Sequence, residues 1–252
     1  MNDRNSSIQV IDRMAQLLEA IAAQPKPVSL KYLAADTGLH PSTAFRILAS
    51  LVQHGFVERD DSGAYRLGAK WLQFGSRVRA RLDLREEALP IMEDLRNQVH
   101  ETVNLTVREG DEVVYVERAL VKRMMRVEQI IGSRAPLHVT AVGKLMLAED
   151  GEAACKAYAE RSKLKRFTTH TLTTLPALLA EIREIKNAGY AFDNEEAELG
   201  VRCLGVLIRD ASGAVVAGLS ISAPQERLQA AWVPLLQEAG LGLSKRLGYR
   251  AG

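Results

Sequence analysis

The sequence predicts an α+β protein of two domains, and three observations support this prediction. Its 252 residues, 47% of them hydrophobic, are enough for one large or two modest domains with real cores. A helix-rich segment with one short hairpin precedes a segment in which hairpins dominate. The charge divides at the same point, with a net +4 over residues 1–82 and −2 over residues 83–252, within a total of +2. We therefore expect one domain over residues 1–82 and a second over residues 83–252.

The first segment has the element order of a winged helix-turn-helix. A first helix is indicated by apolar residues at helical spacing: Ile11, Met14, Leu18 and Ile21. Ser29 as N-cap and Gly38 at the other end enclose a short second helix, and Pro41 begins a third that ends at Gly55. The runs FVER and AYRL, joined by the turn residues DDSG, predict a hairpin. A linker helix is predicted over residues 67–82.

The third predicted helix has an apolar side and a polar side. The apolar side is a stripe at helical spacing with further apolar residues beside it: Phe45, Leu48 and Val52, then Ala44, Ile47 and Leu51. The opposite side carries Thr43, Arg46 and Ser50, and Ser42 lies in the first turn. Hydroxyls and an arginine on a short helix suit base edges and phosphates in a major groove. A solvated face uses the same residue types, but the order of the elements and the basic balance favour DNA.

Basic residues outside this helix are candidates for contacts to the DNA backbone. They are Lys31 on the second helix and Arg59 and Arg66 on the hairpin. Arg77, Arg79 and Arg81 need no such role, because a charged linker helix is explained by solvation alone.

The second segment predicts an antiparallel sheet flanked by helices. Strands are predicted at residues 101–109, 112–120, 125–131, 190–193, 203–210 and 214–223. Helices are predicted at residues 84–101 (interrupted by Pro90), 152–162, 175–189 and 226–247, and residues 137–149 form a loop that runs into a buried helix. Ser220 and Ser222 alternate with apolar residues, so their hydroxyls share one face of the sheet. The first amides of the helix after Thr140 suit an anion.

The composition excludes several classes of protein. Two cysteines, Cys155 and Cys203, exclude a disulfide framework and every multi-cysteine metal site, and no cofactor is expected. The five histidines form no metal-spaced pair, and neither a phosphate-binding loop nor a GxSxG elbow occurs. The only candidate nucleophile is Cys203, with His138 as its base, although a cysteine on an apolar strand is more often a small buried residue.

No membrane partner is expected. The N-terminal run MNDRNSSIQVID lacks the apolar region of a signal peptide. The longest uncharged stretch after Asp210, residues 211–225, is too short to cross a bilayer. We therefore expect a cytoplasmic protein.

Three separated motifs resemble the IclR family of bacterial transcription regulators. SLKYLAADTGLHPSTAFRILASLVQHGFVERDDSGAYRLGAKWLQFG resembles the family's DNA-binding domain, and PLHVTAVGKLMLA and GYAFDNEEAELGVRCLGVLIRD continue the resemblance. The last run matches the family signature with seven residues in register: Gly189, Asp193, Glu196, Cys203, Leu204, Gly205 and Ile208. Arg209 departs from the smaller polar or aromatic residue usual there. The resemblance covers nearly the whole chain.

The resemblance implies a GAF-like effector-binding domain that holds a small metabolite between its sheet and the covering loops. Carried over position by position, it assigns ten pocket residues: Met124 and Val127 on the third strand, Ala135 before the loop, Ala141 and Val142 at the helix start, Asp193, Val201 and Cys203 on the signature segment, and Ser220 and Ser222 on the last strand. Ala141 and Val142 replace the glycine and alanine of some relatives, and their larger side chains either narrow the pocket or alter its floor. If the effector is a carboxylate, we expect Asp193 to bond a ligand hydroxyl or a water, or to be held by a nearby donor.

We expect an effector-responsive DNA-binding transcription regulator and not an enzyme. A palindromic double-stranded operator requires a homodimer, and Trp71, Leu72 and Phe74 are available to pack on a partner chain. The family implies that dimers pair into tetramers and that a small organic acid, aromatic or short and aliphatic, shifts the spacing of the DNA-binding domains. Repressor and activator both fit. The alternatives are an oligomeric enzyme with a Cys203-centred site and a DNA-binding protein without a ligand.

Overall fold

A computed structural model describes residues 8–79 and 81–250, and it divides the chain into two compact units, Met1–Arg81 and Leu82–Gly252. Each unit has its own hydrophobic core. Across these two described ranges, every helix falls short of the length and apolar character that a membrane span requires.

The first unit consists of three helices, a two-stranded antiparallel hairpin and a fourth helix. In chain order they are α1 (Gln9–Ala22), α2 (Leu30–Thr37), α3 (Pro41–Gln53), β1 (Val57–Arg59), β2 (Tyr65–Leu67) and α4 (Lys70–Arg79). The winged helix-turn-helix prediction is confirmed. The Ser29 hydroxyl accepts a hydrogen bond from the Tyr32 amide at 3.2 Å, and Gly38 ends α2 with a φ of 66°.

Two details of the first unit differ from the sequence prediction. Ile11 is exposed, and Leu17 takes its place in the core because α1 turns Leu17 and Ile21 towards α2 and α3. Leu67 lies in β2, where it pairs with Val57, so the linker helix begins at Lys70 and not at residue 67.

The second unit is a six-stranded antiparallel sheet with helices on both faces. Its helices are α5 (Leu84–Val99), α6 (Ala141–Asp150), α7 (Glu152–Ser162), α8 (Leu175–Ala188) and α9 (Val233–Arg246). Its strands are β3 (Thr102–Glu109), β4 (Glu112–Ala119), β5 (Arg134–Pro136), β6 (Ala191–Asn194), β7 (Val201–Arg209) and β8 (Val215–Pro224), in the spatial order β5-β4-β3-β8-β7-β6. This architecture confirms the predicted sheet flanked by helices.

Alternation along the strands gives the sheet two apolar faces. Leu105, Leu219 and Ile221 face one core together with residues of α5 and α9. Cys203 and Val201 face the other core, which α6, α7 and α8 complete. The sheet is therefore the middle layer of three.

Two glycines allow α6 to approach this sheet closely. A Cβ atom on Gly218 of β8 would lie 2.1 Å from a methyl of Val142, and one on Gly205 of β7 would lie 3.1 Å from the Val142 amide nitrogen. Contacts under 3.0 Å do not occur between real side chains, so an alanine at 218 would push α6 away. The first turn of α6 consequently lies directly on β7 and β8.

The predicted strand at residues 125–131 is wrong. This segment has no regular secondary structure, and the short edge strand β5 lies further along the chain. Side-chain donors satisfy its carbonyl groups in place of a neighbouring strand: Thr102 donates to the Val127 oxygen at 2.8 Å and Arg227 to the Met125 oxygen at 3.1 Å. The alternation of apolar and polar residues in this segment therefore does not require that it pair with a neighbouring strand.

Two predicted helices have different bounds in the structure. The last helix, α9, begins at Val233 after a single 3-10 turn over Ala230–Trp232, and not at residue 226. Helix α5 continues through Pro90 without the predicted interruption.

Candidate functional site

Helix α3 presents a different face to solvent from the one its apolar pattern predicts. Ala44, Leu48 and Leu51 are the buried residues, and the Phe45 side chain is 46% exposed. The predicted role of Phe45 in the apolar stripe is therefore wrong. The small side chain of Ala44, on the far side of the helix, lies in the core with Leu17 and Leu33 of α1 and α2.

This rotation places the predicted DNA-binding residues unequally. Ser42, Arg46 and Ser50 are exposed, whereas Thr43 is half-buried at the edge of the core. Together with Thr43, Arg46 and Ser50 line a groove of about 360 Å³, whose opposite wall is Val10, Arg13 and Met14 of α1. Ser42, Phe45 and Ala49 form an exposed ridge of α3, at the spacing i, i+3 and i+7, and Arg46 and Ser50 are exposed beside it.

The other predicted DNA contacts are exposed, but they differ in their partners. Within residues 8–79 and 81–250, Arg46 and Lys31 form no ion pair. Arg66 is paired with Glu58 across the hairpin at 2.8 Å, and Glu58 also accepts a hydrogen bond from the Ala69 amide. To bind a phosphate, Arg66 must therefore give up its ion pair with Glu58. Breaking an exposed ion pair of this kind costs little free energy.

The second unit contains a cavity of about 70 Å³ between the first turn of α6 and the sheet. Seven of the ten predicted pocket residues line it: Ala135, Ala141, Val142, Asp193, Val201, Cys203 and Ser220. These residues come from four strands and one helix, and the sheet order brings them together. Two of them, Asp193 and Cys203, are among the residues that match the family signature.

The other three predicted pocket residues lie elsewhere. The Met124 side chain is fully exposed, because the segment that carries it is not a strand. Val127 is half-buried and is held through its carbonyl by Thr102. Ser222 is buried beside the cavity and hydrogen bonds the Cys203 sulfur at 3.2 Å and the Asn104 amide group at 3.1 Å. The assignment of Met124 and Val127 to a strand wall is wrong.

Thr140, at the predicted helix start, also lines the cavity, and sequence reasoning missed the remaining lining residues: Thr106, Val113, Tyr115, Gln129, Ala197 and Glu198. A signal existed for Thr106, because it pairs with Gly218 and points to the same sheet face as Ser220. No periodicity could indicate Gln129, which reaches the cavity from the irregular segment before β5. Its Oε1 atom is buried without a hydrogen-bond partner in the described chain.

Helix α6 begins at the cavity and leaves donors facing it. The Thr140 hydroxyl caps the helix by accepting from the Gly143 amide at 3.0 Å. The amides of Ala141 and Val142, the first two of the helix, have no carbonyl one turn earlier to bond. With the hydroxyl of Ser220, they form a set of donors that suits a carboxylate, whereas the Thr106 hydroxyl donates to the Gly218 carbonyl at 3.4 Å.

Two acidic residues line the cavity: Glu198, which is exposed, and Asp193, which is only 2% exposed. Burial raises the pKa of its carboxyl to about 7, against the opposing effect of the Glu196 amide, which donates to Asp193 Oδ1 at 2.8 Å. The nearby donor expected for this residue is thus Glu196. A protonated Asp193 can donate a hydrogen bond to a ligand oxygen, and an ionised one repels an anion.

A buried ion-pair cluster supports the cavity from behind. The Lys144 side chain of α6 is completely buried and lies 2.6 Å from Glu196 and 2.8 Å from Glu181. Glu196 Oε2 remains without a hydrogen-bond partner in the described part of the chain. Because Glu196 also holds Asp193 through its amide, Lys144 positions the acidic side of the cavity.

The geometry does not support a nucleophilic Cys203. His138, its proposed base, bonds Tyr158 at 2.6 Å through Nδ1 and the Lys165 carbonyl at 3.0 Å through Nε2. Burial raises the pKa of the Cys203 thiol well above its ordinary value, which opposes the thiolate. The described residues also contain no group of three or more acidic, histidine or cysteine side chains that could hold a metal ion.

Comparisons with known proteins agree with both units. A family model described as the IclR helix-turn-helix domain matches residues 10–61, and one described as the C-terminal region of the bacterial transcriptional regulator IclR matches residues 76–243. The HTH-type transcriptional regulator XynR of Escherichia coli is 34% identical over 249 residues, which cover 97% of this chain and 99% of that protein.

Solved structures show the same fold. The repressor BlcR of Agobacterium tumefaciens superposes with a TM-score of 0.78 at 27% identity, covering 97% of this chain and 99% of its own. An IclR homologue from Microbacterium hydrocarbonoxydans, crystallised with 4-hydroxybenzoate, has a TM-score of 0.62 at 28% identity and covers 94% of this chain and 98% of its own.

Proposed function

Because the chain belongs to the IclR family of bacterial transcription regulators, we propose that it binds a palindromic operator as a dimer or tetramer and senses a small organic acid. The observation that carries this proposal is the cavity at the start of α6, where helix amides, hydroxyls and Asp193 converge. The protein acts in the cytoplasm, on double-stranded DNA.

The DNA-binding face is formed by α3, α2 and the hairpin. Arg46 and Ser42 contact bases or phosphates from the exposed side of α3, and Thr43 and Ser50 lie along the groove towards α1. Lys31 and Arg66 contact phosphates on either side. One such face reads one half-site, so two copies read half-sites centred about 34 Å or a multiple of that distance apart.

The effector is a small acid, and the cavity of about 70 Å³ favours a short one. The Microbacterium homologue was crystallised with an aromatic acid, 4-hydroxybenzoate. The carboxylate is placed at the amides of Ala141 and Val142, and its carbon atoms lie against Val113 and Val201.

Effector binding changes DNA affinity through the elements that line the cavity. The ligand contacts the first turn of α6 and the irregular segment that carries Gln129. A ligand that binds one arrangement of these elements more tightly shifts the population towards it, and its differential affinity sets the size of the change in operator binding.

A panel of two- to six-carbon acids read by thermal unfolding tests this sensing function, because binding to the native state raises the unfolding temperature. We expect stabilisation of the wild type by at least one acid and its loss in Ser220→Val, whose substitution removes a lining hydroxyl. Ser212→Ala, in an exposed turn, is the matched control. No stabilisation by any acid, together with intact DNA binding, would favour a ligand-independent regulator.

The enzyme alternative has its own test. It requires a turnover that Cys203→Ala abolishes. We expect Cys203→Ala to change effector affinity and operator response only, because Cys203 lines the cavity and its thiol is protonated.

A further inference from the structure

The exposed ridge of α3 carries an aromatic ring that the first unit leaves uncovered. Phe45 is 46% exposed and stands between Ser42 and Ala49 on an exposed ridge at the flank of α3. Within residues 8–79 and 81–250, no aromatic ring stacks on it. Other exposed rings of this unit have partners: Trp71 and Phe74 pack on Phe56, and the Tyr32 hydroxyl accepts a hydrogen bond from Gln24.

The surroundings of Phe45 define the kind of surface that covers it. Its exposed neighbours on α3 are a hydroxyl, a methyl and the Arg46 guanidinium. This apolar spot is only one ring wide, far below the roughly 800 Å² per partner of a stable protein interface. The unpaired Arg46 beside it favours a polyanion. The partner must therefore combine dense negative charge with small apolar groups.

The major groove of DNA has this combination. Each thymine places a C5 methyl group there, and phenylalanine is among the side chains that contact this methyl. The same exposed side of α3 carries the hydroxyl and guanidinium that suit base edges and phosphates, so Phe45 is continuous with the DNA-binding face.

We propose that Phe45 is a specificity-determining residue that recognises thymine through its methyl group in each half-site of the operator. The inference rests on the proposed function, since it requires α3 to enter the major groove. It adds an apolar contact to a face otherwise read by Ser42 and Arg46, and it predicts that part of the sequence preference needs no hydrogen bond.

The experiment begins by selecting binding sites for the full-length chain from a random duplex library. Each thymine of the selected site is then replaced singly by deoxyuridine, which keeps every hydrogen-bonding group and removes only the methyl. Equilibrium binding of these duplexes is measured for the wild type, Phe45→Ala, Phe45→Leu and Phe167→Ala. Phe167, 44% exposed on the second unit, is the matched control.

The wild type is expected to bind about fourfold more weakly when the contacted thymine loses its methyl. Phe45→Ala should bind the thymine and uracil duplexes alike, and Phe45→Leu should keep part of the discrimination. Phe167→Ala should discriminate as the wild type does. Unchanged unfolding temperatures for the Phe45 variants show that folding is not the cause, since the ring is exposed.

Three results would overturn the inference and leave the proposed function intact. They are a selected half-site without a required thymine, equal binding of all thymine and uracil duplexes by the wild type, and undiminished thymine preference in Phe45→Ala. Failure of the selection to enrich any sequence contradicts DNA recognition itself, and the inference falls with it.

Discussion

Helices α3 and α6 both begin at a capped turn, yet their surroundings are opposite. Only three residues of the 13-residue α3 are buried, whereas eight of the ten residues of α6 are. The exposed side chains of α3 are therefore free to contact a partner without holding the fold. The side chains of α6 hold the fold and line the cavity at once, so substitutions there are expected to change both the proposed sensing and the stability.

The largest expected effect is at the buried cation of α6. Lys144→Ala should lower the free energy of unfolding by about 3–5 kcal/mol, because Glu196 would remain buried and charged without its partner. Urea denaturation measures this loss. Arg183→Ala is the control, because it breaks an exposed pair with Glu152 and should cost less than about 1 kcal/mol. Equal losses of unfolding free energy in the two variants would show that the buried ion pair of Lys144 contributes no more to stability than the exposed pair of Arg183.

The next effect is a pH dependence at the cavity. The folded pKa of Asp193, about 7, lies above its unfolded value, so the native state holds this proton where the unfolded state has released it. Stability from Asp193 is therefore present at low pH and is lost, at up to about 1.4 kcal/mol per pH unit, as the pH rises towards 7. Asp193→Asn lacks this slope.

The free energies of unfolding of the wild type and Asp193→Asn, determined between pH 5 and 8, measure this pH dependence. The wild-type stability should fall relative to the variant up to about pH 7 and then level off. Carboxylate affinity should fall over the same range in the wild type alone. The difference in unfolding free energy between the wild type and Asp111→Asn should stay constant over this pH range, because Arg161 lowers the pKa of Asp111. A constant difference for Asp193→Asn would contradict a buried, protonated carboxyl.

A loss of free energy of similar size, in DNA binding and not in folding, is expected for a substitution on α3. Arg46→Ala should reduce operator affinity by about 1–3 kcal/mol at an unchanged unfolding temperature, because the side chain is exposed. Fluorescence anisotropy with operator DNA measures the loss, and Arg85→Ala on the exposed side of α5 is the arginine control. Operator binding at the wild-type level would remove Arg46 from the recognition face.

The smallest effect is expected at the hairpin. Arg66→Ala should weaken binding to all sequences alike, by up to about 1 kcal/mol, and reduce the salt slope by about one. The loss is small because Arg66 gives up its pair with Glu58 when it binds a phosphate. A titration over several salt concentrations with operator and random DNA checks this. A loss confined to the operator would indicate a base contact.

The two regions also differ in how far the sequence predicts them. The bounds of α2 follow from Ser29 and Gly38, because each residue type satisfies a local backbone requirement. The buried side of α3 is not determined by local sequence. Its apolar residues at 44, 45, 48, 51 and 52 fit more than one stripe, and packing against α1 and α2 buries Ala44 and leaves Phe45 exposed.

The cavity shows the same limit. The seven predicted residues that line the cavity lie on strands and at a helix start, where regular backbone geometry fixes the direction of each side chain. Met124 and Val127 were wrongly placed because their carbonyl-bearing segment is held by side chains distant in sequence, such as Thr102 and Arg227. Gln129 was missed for the same reason. Long-range hydrogen bonds leave no periodic pattern in the sequence.

The close approach of α6 to Gly218 makes Val142 a tuning position for biosensor engineering. Its methyl groups fill the slot that the absent Cβ leaves, and the same side chain forms part of the cavity wall. Val142→Ala would enlarge the chamber without touching a polar group, and Val142→Ile would shrink it. The range of acids in the proposed sensing function can thus be widened or narrowed by one apolar residue, while the sequence of α3 remains unaltered.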